Sequence, residues 1–327
     1  MPGTDAAEAS RVVFGELPDL PHLPELPARG PGADMTGRTA ALLVDMPVQT
    51  TARGWKLADR PGRESARAAG YWSEDLDTLE QVADGYSGPL KLQVCGPWTL
   101  AATLELSHSV NPALADPGAV ADLAASLAEG LAAHAADVRK RVPGATLVVQ
   151  VDEPALPAAL AGRVPTASGL NVVAAIDQTV ASQRLAAVLS APEAFTVVHC
   201  CAGTTPFPEI IRAGAAAVSF DLSLLGAKEI DLVAELAEAG LALFVGALPR
   251  GAAQRLHSGP PLPPRQTAET VVTLWRRTGL APNLLAGQVV ITPACGLTGV
   301  SPSAARAALE HCREAARIAP EMIEETA

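Results

Sequence analysis

Aromatic residues are scarce, at 3% of 327 positions, so contacts between elements must be built mostly from Ala, Leu and Val. No apolar run approaches the 18 residues of a membrane-spanning helix, and none is expected. Basic residues are outnumbered: 24 Lys and Arg face 35 Asp and Glu, a net charge of −11. A field of that sign argues against nucleic acid and anionic membrane surfaces as partners. The opening Met1-Pro2-Gly3-Thr4-Asp5 carries an acid where an export signal needs a basic start and an apolar stretch, so the cytoplasm is the expected compartment. Cysteines number five, at Cys95, Cys200, Cys201, Cys295 and Cys312, and an odd set in a chain of this size is a poor disulfide framework. No Gly-x-Gly-x-x-Gly follows an expected strand, and no Gly-x-x-x-x-Gly-Lys-Ser/Thr loop is present, so nucleotide-binding folds lose their main support.

What is present is 49% apolar residues with 18% charged ones, ample material for a core. Short β-branched or apolar runs alternate with Ala-rich amphipathic stretches. Strands are expected at 90–95, 146–152, 196–200, 216–221, 242–246 and 288–292, with weaker ones at 23–26 and 40–45. Helical spacing marks 120–138, 230–239, 268–277 and 302–318, the last opened by Ser301 as N-cap with Pro302 at the first helical position. The Pro/Gly-rich segments 18–32 and 259–264 read as loops within a single domain spanning 1–327. Strand–helix alternation suggests a parallel sheet with helical crossovers. Among such folds the (β/α)8 TIM barrel is favoured. Cys95, Asp152, His199, Cys201, Asp221 and Cys295 all fall at or just beyond C-terminal strand ends, which a barrel gathers at one mouth.

The strongest chemical signal is Val197-Val198-His199-Cys200-Cys201. Side chains alternate along a strand, so His199 and Cys201 share a face while Cys200 points elsewhere. Cys295 supplies a third soft ligand, and Asp221 is a candidate fourth. An imidazole and two thiolates make a zinc set with one position left for chemistry. Two thiolates already neutralise Zn²⁺, which weakens it as a Lewis acid toward water and suits capture of a substrate thiol better than hydrolysis. Zinc deaminases also use Cys-rich sites but carry His-x-Glu and Cys-x-x-Cys, and neither occurs here. Gln150-Val151-Asp152-Glu153-Pro154 places two acids at another strand end. Asp152 is expected to face the mouth, where it could bind an ammonium group, accept a proton or ligate a metal. Glu153 reads equally as a helix N-terminal acid.

Together these motifs resemble the cobalamin-independent methionine synthase family, in its C-terminal catalytic half. The resemblance runs over nearly the whole chain as strand and motif order: Gln-Val-Asp-Glu-Pro-Ala-Leu (150–156), His-Cys-Cys (199–201) and Pro-Ala-Cys-Gly-Leu (293–297). Cys-Gly-Pro-Trp-Thr-Leu (95–100) is similar to a segment that uroporphyrinogen decarboxylase shares with the zinc methyltransferases of that superfamily. The resemblance implies a (β/α)8 barrel, Zn²⁺ held by His199, Cys201 and Cys295, and Asp152 on the amino group of homocysteine. It also implies a methyl donor that is 5-methyltetrahydrofolate or a methylated corrinoid protein. Glu153 and Trp98 are further candidates for the substrate site. Asp221 stands where the family has a glutamate ligand, and would hold the fourth position until thiol displaces it. The family's Ile-Gly-Ser strand falls at about Met1, and its folate-stacking tryptophan near Thr103; its N-terminal half has no counterpart here.

Two other readings compete. A uroporphyrinogen-type decarboxylase would need arginines for substrate carboxylates, and Arg29, Arg38, Arg53 and Arg60 are the candidates. A barrel that only binds a thiol or a carrier protein would leave the metal set without turnover.

Overall fold

The computed structural model describes residues 1–256 and 262–325. In chain order, a short hairpin of β1 (Val48–Thr51) and β2 (Gly54–Leu57) precedes β3 (Gly88–Cys95), β4 (Leu104–Glu105), β5 (Ala145–Asp152), β6 (Phe195–Cys200), β7 (Ala217–Asp221), β8 (Ala242–Leu248) and β9 (Val289–Pro293). The helices are α1 (Ala6–Glu16), α2 (Met35–Ala40), α3 (Arg63–Val82), α4 (Pro97–Thr103), α5 (Pro117–Arg141), α6 (Leu156–Leu160), α7 (Gln178–Ser190), α8 (Phe207–Arg212), α9 (Ala227–Glu238), α10 (Arg250–Arg255), α11 (Pro264–Thr278), α12 (Leu285–Gln288) and α13 (Pro302–Glu324).

Local chemistry accounts for these elements. The Asp116 carboxylate accepts from the Gly118 and Ala119 N–H groups and starts α5, whose Leu123, Leu127, Leu131, Ala135 and Val138 are buried at helical spacing. Ser301 caps α13 by accepting from Ala304 N–H, with Pro302 at its first position, as expected. Gly279, at φ 72°, closes α11 in the left-handed conformation that glycine adopts without strain.

All six of the stronger strand expectations form, and they pair in parallel in the order β3-β5-β6-β7-β8-β9. Apart from the two-residue β4, each neighbour is the next strand in the chain. A doubly wound sheet would instead reverse its order midway. The sheet curls into a half-barrel: Val148, Val197, Ala217 and Phe244 share an apolar cluster with Leu20 and Val290, joining β5 to β9 and to the N-terminal segment. The weaker strand at 23–26 is reduced to a parallel bridge between His22 and Lys91, flanked by the bonds Lys91 N–H to Pro21 O and Leu23 N–H to Lys91 O. The strand expected at 40–45 does not form. Its residues end α2 and turn, Asp45 takes a positive φ of 56°, and the Leu42 carbonyl lies where a Cβ on Gly130 of α5 would stand. Of the loop expected at 259–264, residues 259–261 lie outside the described residues, and Pro264 opens α11.

The segment between the His22 bridge and α3 is latched by buried charge. Arg38 lies over the Trp72 ring at 3.5 Å and donates to Asp75; Arg29 lies over Tyr71 at 4.4 Å and donates to the same carboxylate at 2.8 Å. Among the described residues no helix is long and apolar enough to cross a membrane.

Candidate metal centre

The alternation along β6 puts His199 and Cys201 on one face, and β9 delivers Cys295 two residues beyond its end. Their ligand atoms lie within 4.8 Å of one another. Cys201 Sγ and Cys295 Sγ are 3.6 Å apart, close to the roughly 3.8 Å edge of a tetrahedron with 2.3 Å zinc–sulfur bonds. His199 Nδ1 meets Ser219 Oγ at 2.8 Å, which leaves Nε2 as the ring nitrogen for a metal and supplies the outer partner that metal-bound imidazoles use. The donor set therefore fits a zinc ion. The Cys201 thiol is pushed far up, first by its hydrogen bond with Cys295 and then by burial. A bound divalent cation reverses that preference and favours thiolate.

Asp221 ends β7 on the same rim. Its Oδ1 accepts from Ser223 N–H at 2.9 Å and from Ser223 Oγ at 2.6 Å, capping the turn that follows. The described group that could hold a metal comprises His199, Cys201 and Cys295 without it.

Asp152, at the end of β5, pairs in register with His199. It is buried, and burial raises its pKa; the neighbouring His199, the Gln150 hydrogen bond and Lys91 pull it back down. Gln150 Nε2 donates to its Oδ1 at 2.7 Å. Glu153 takes the role of a helix N-terminal acid, one of its two sequence readings, while Trp98 is placed away from a substrate surface. Glu153 is fully buried and accepts at one oxygen from Trp98 N–H and at the other from Thr99 N–H and Oγ. It anchors the start of α4 to the end of β5, as a helix N-terminal acid does. Burial nevertheless drives its pKa up to about 7 against those bonds. Trp98 is 1% exposed, and its indole N–H donates to Ala181 O, so its ring belongs to the core rather than to a substrate surface.

Several residues that the sequence reading passed over line this region. Glu25 is a carboxylate whose pKa is raised by burial, against Arg38 and Lys91, with Asp152 near enough to push it further up. Lys91, Gln93, Gln150 and Ser219 form an inward polar row. The alternation in Lys-Leu-Gln-Val-Cys (91–95) and Val-Gln-Val-Asp (149–152) carried a signal, since two polar residues on one strand face meet the interior of a curled sheet together.

The four arginines of the decarboxylase reading do not converge. Arg29 and Arg38 are buried on Asp75. Arg53 spans three loops through Glu105, Val110 O and Ala167 O, and Arg60 is exposed.

A curled parallel α/β sheet with an imidazole and two thiols at its strand ends defines a candidate zinc enzyme. The chain belongs to the family of the cobalamin-independent synthase catalytic domain, whose model matches residues 112–318. Among solved structures it is similar to a B12-independent methionine synthase from Shewanella sp. W3-18-1 in complex with selenomethionine. That match has a TM-score of 0.52 and 17% identity over 76% of this chain and 67% of the other, and shows a shared fold. No curated protein sequence matches the chain.

Proposed function

We propose that this protein is a zinc-dependent methyltransferase that transfers a methyl group to the thiol of homocysteine and forms methionine. The observation that carries the reading is the convergence of His199, Cys201 and Cys295 within 4.8 Å, from strands far apart in the chain. Family membership supplies the reaction class. The reading includes a single domain over 1–327 with (β/α)8 architecture, supported by the sequential parallel order of the half-barrel.

In this mechanism His199, Cys201 and Cys295 would hold the zinc ion, with Ser219 orienting the imidazole. When bound, zinc supplies charge stabilisation for a sulfur anion, which an alkyl thiol of pKa about 8.5 lacks at neutral pH. Asp152 receives the substrate ammonium, which places the sulfur at the mouth. Glu25, half-buried and electrostatically coupled to Asp152, borders the same pocket. The carbon–sulfur bond forms as the donor's N5–methyl bond breaks; the thiol proton passes to solvent and N5 takes a proton from solvent, leaving tetrahydrofolate. Asp221 caps the rim turn through Oδ1, and its Oδ2 is the atom that would take the fourth position until thiol displaces it. 5-Methyltetrahydrofolate is the proposed donor. Nothing in the comparisons supports a corrinoid protein, and the matched family is described as cobalamin-independent.

Protein purified without chelator should contain zinc by elemental analysis. Cys201→Ser and Cys295→Ser should each lose the metal and methionine formation while keeping the wild-type circular dichroism spectrum. A folded, metal-free wild-type protein that still methylates homocysteine would overturn the reading.

A further inference from the structure

Asp152 is held from below by a row of polar side chains that the reaction itself does not touch. Lys91 Nζ donates to Gln93 Oε1 and to Gln150 Oε1, both at 3.2 Å. Gln93 Nε2 donates onward to Leu23 O at 2.6 Å, and Gln150 Nε2 to Asp152 Oδ1 at 2.7 Å. β3 and β5 set this row directly, because Gln93 pairs in register with Gln150, and Cys95 with Asp152.

The donor and acceptor inventory makes the row directional. An ammonium can only donate, so each glutamine must turn its carbonyl oxygen to Lys91 and its amide nitrogen away. Gln150 is then left with a donor facing Asp152, and Asp152 must accept. A carboxylate that accepts from below keeps its negative charge and its other oxygen for the mouth. Without the ammonium, nothing fixes the Gln150 amide, which is then free to flip and turn its donor away from Asp152.

We propose that Lys91 is a positioning residue that sets the orientation of Gln150 and thereby keeps Asp152 ready for the substrate ammonium. The proposal rests on the assignment of Asp152 to that ammonium. Burial lowers the Lys91 pKa, while Asp152 and Glu25 raise it. With Glu25 offsetting the lysine charge, orientation of the carboxylate outweighs simple repulsion between Lys91 and an incoming cation.

The test measures binding of two thiols to the zinc-loaded enzyme by calorimetry: homocysteine, and 4-sulfanylbutanoate, which lacks only the amino group. Lys91→Met should weaken homocysteine binding about tenfold, the equivalent of about 1.4 kcal/mol, and change 4-sulfanylbutanoate binding less than about twofold. Zinc content should stay at the wild-type level, and the kinetic loss should fall on KM for homocysteine rather than on kcat. Gln150→Met breaks the same link and should give the same pattern, with the double variant no weaker than either single one. It also carries the test if Lys91→Met does not fold. Equal losses for both thiols, additive losses in the double variant, or tighter homocysteine binding would each overturn the proposal. Asp152→Asn separates the levels. If it leaves the preference for homocysteine intact, the ammonium assignment falls and Lys91 with it. If it removes the preference while the Lys91 and Gln150 variants keep it, the role of Lys91 alone falls.

Discussion

His134 shows what a single misplaced polarity does to this fold. Its ring lies against Trp72 at 4.4 Å inside the layer between α3 and α5, and its Nε2 is buried without a hydrogen-bond partner. Burial first, then the Arg38 charge, lowers its pKa to about 4, against an opposing pull from Asp137. The folded state keeps the ring neutral while the unfolded chain takes up a proton below about 6.5, so stability drains away as pH falls from 6.5 toward 4. The shift corresponds to about 3 kcal/mol at its full extent. His134→Phe keeps an aromatic ring on Trp72 and removes the proton. Its urea midpoint should vary less between pH 6.5 and 4 than that of the wild type, and an unchanged pH slope would refute the argument. At this scale the site was only partly legible. His199, Cys201 and Cys295 stood out because soft ligands at strand ends are rare and alternation says which way they face. Glu153, one step past β5, had two readings in the sequence, and Trp98, inside α4, was harder to place because its direction is set by what α4 packs against. Here Glu153 joins β5 to α4, and the Trp98 indole joins α4 to α7.

Among the elements, the six core strands were readable from β-branched runs, and α5 and α13 from spacing and caps. The hairpin of β1 and β2 was not, since Val-Gln-Thr-Thr-Ala-Arg-Gly-Trp-Lys-Leu (48–57) alternates weakly and is held mainly by what surrounds it. The Trp55 indole N–H donates to the Asp34 carboxylate, and Arg53 links its turn to the loops at Val110 and Ala167. The expected strand at 40–45 failed for a related reason. A short apolar run carries no information about the neighbour that will pack on it, and that neighbour is α5 at Gly130. A Cβ at Gly130 would lie 1.8 Å from Leu42 O, and backbone on both sides leaves little room to give. Gly130→Ala should therefore destabilise the protein by about 1–3 kcal/mol despite the better helix propensity of alanine, measured as a lower denaturant midpoint. A neutral or stabilising result would show that α5 can slide.

Over the whole molecule, two devices join distant parts of the chain. One is the buried pairing of Arg29 and Arg38 with Asp75, which fastens the N-terminal excursion to α3 and leaves several guanidinium nitrogens without a hydrogen-bond acceptor. Such pairing costs desolvation and returns a unique arrangement rather than large stability. The other is the ligand set itself. β6 carries His199 and leads into Cys201, and β9 borders Cys295, with β7 and β8 between them. The spacing of His199, Cys201 and Cys295 is thus a measure of how tightly that arc bends. Gly246 lies on β8 at the crowded inside of the bend, where a Cβ would meet Ala294 Cα and Phe220 O, each at 2.7 Å. Gly246→Ala should pry the two banks of the centre apart and lower zinc affinity in a chelator competition before it measurably lowers the unfolding midpoint. The ion would then work as a caliper, reporting sub-ångström changes in sheet curvature that no assay of folding would see.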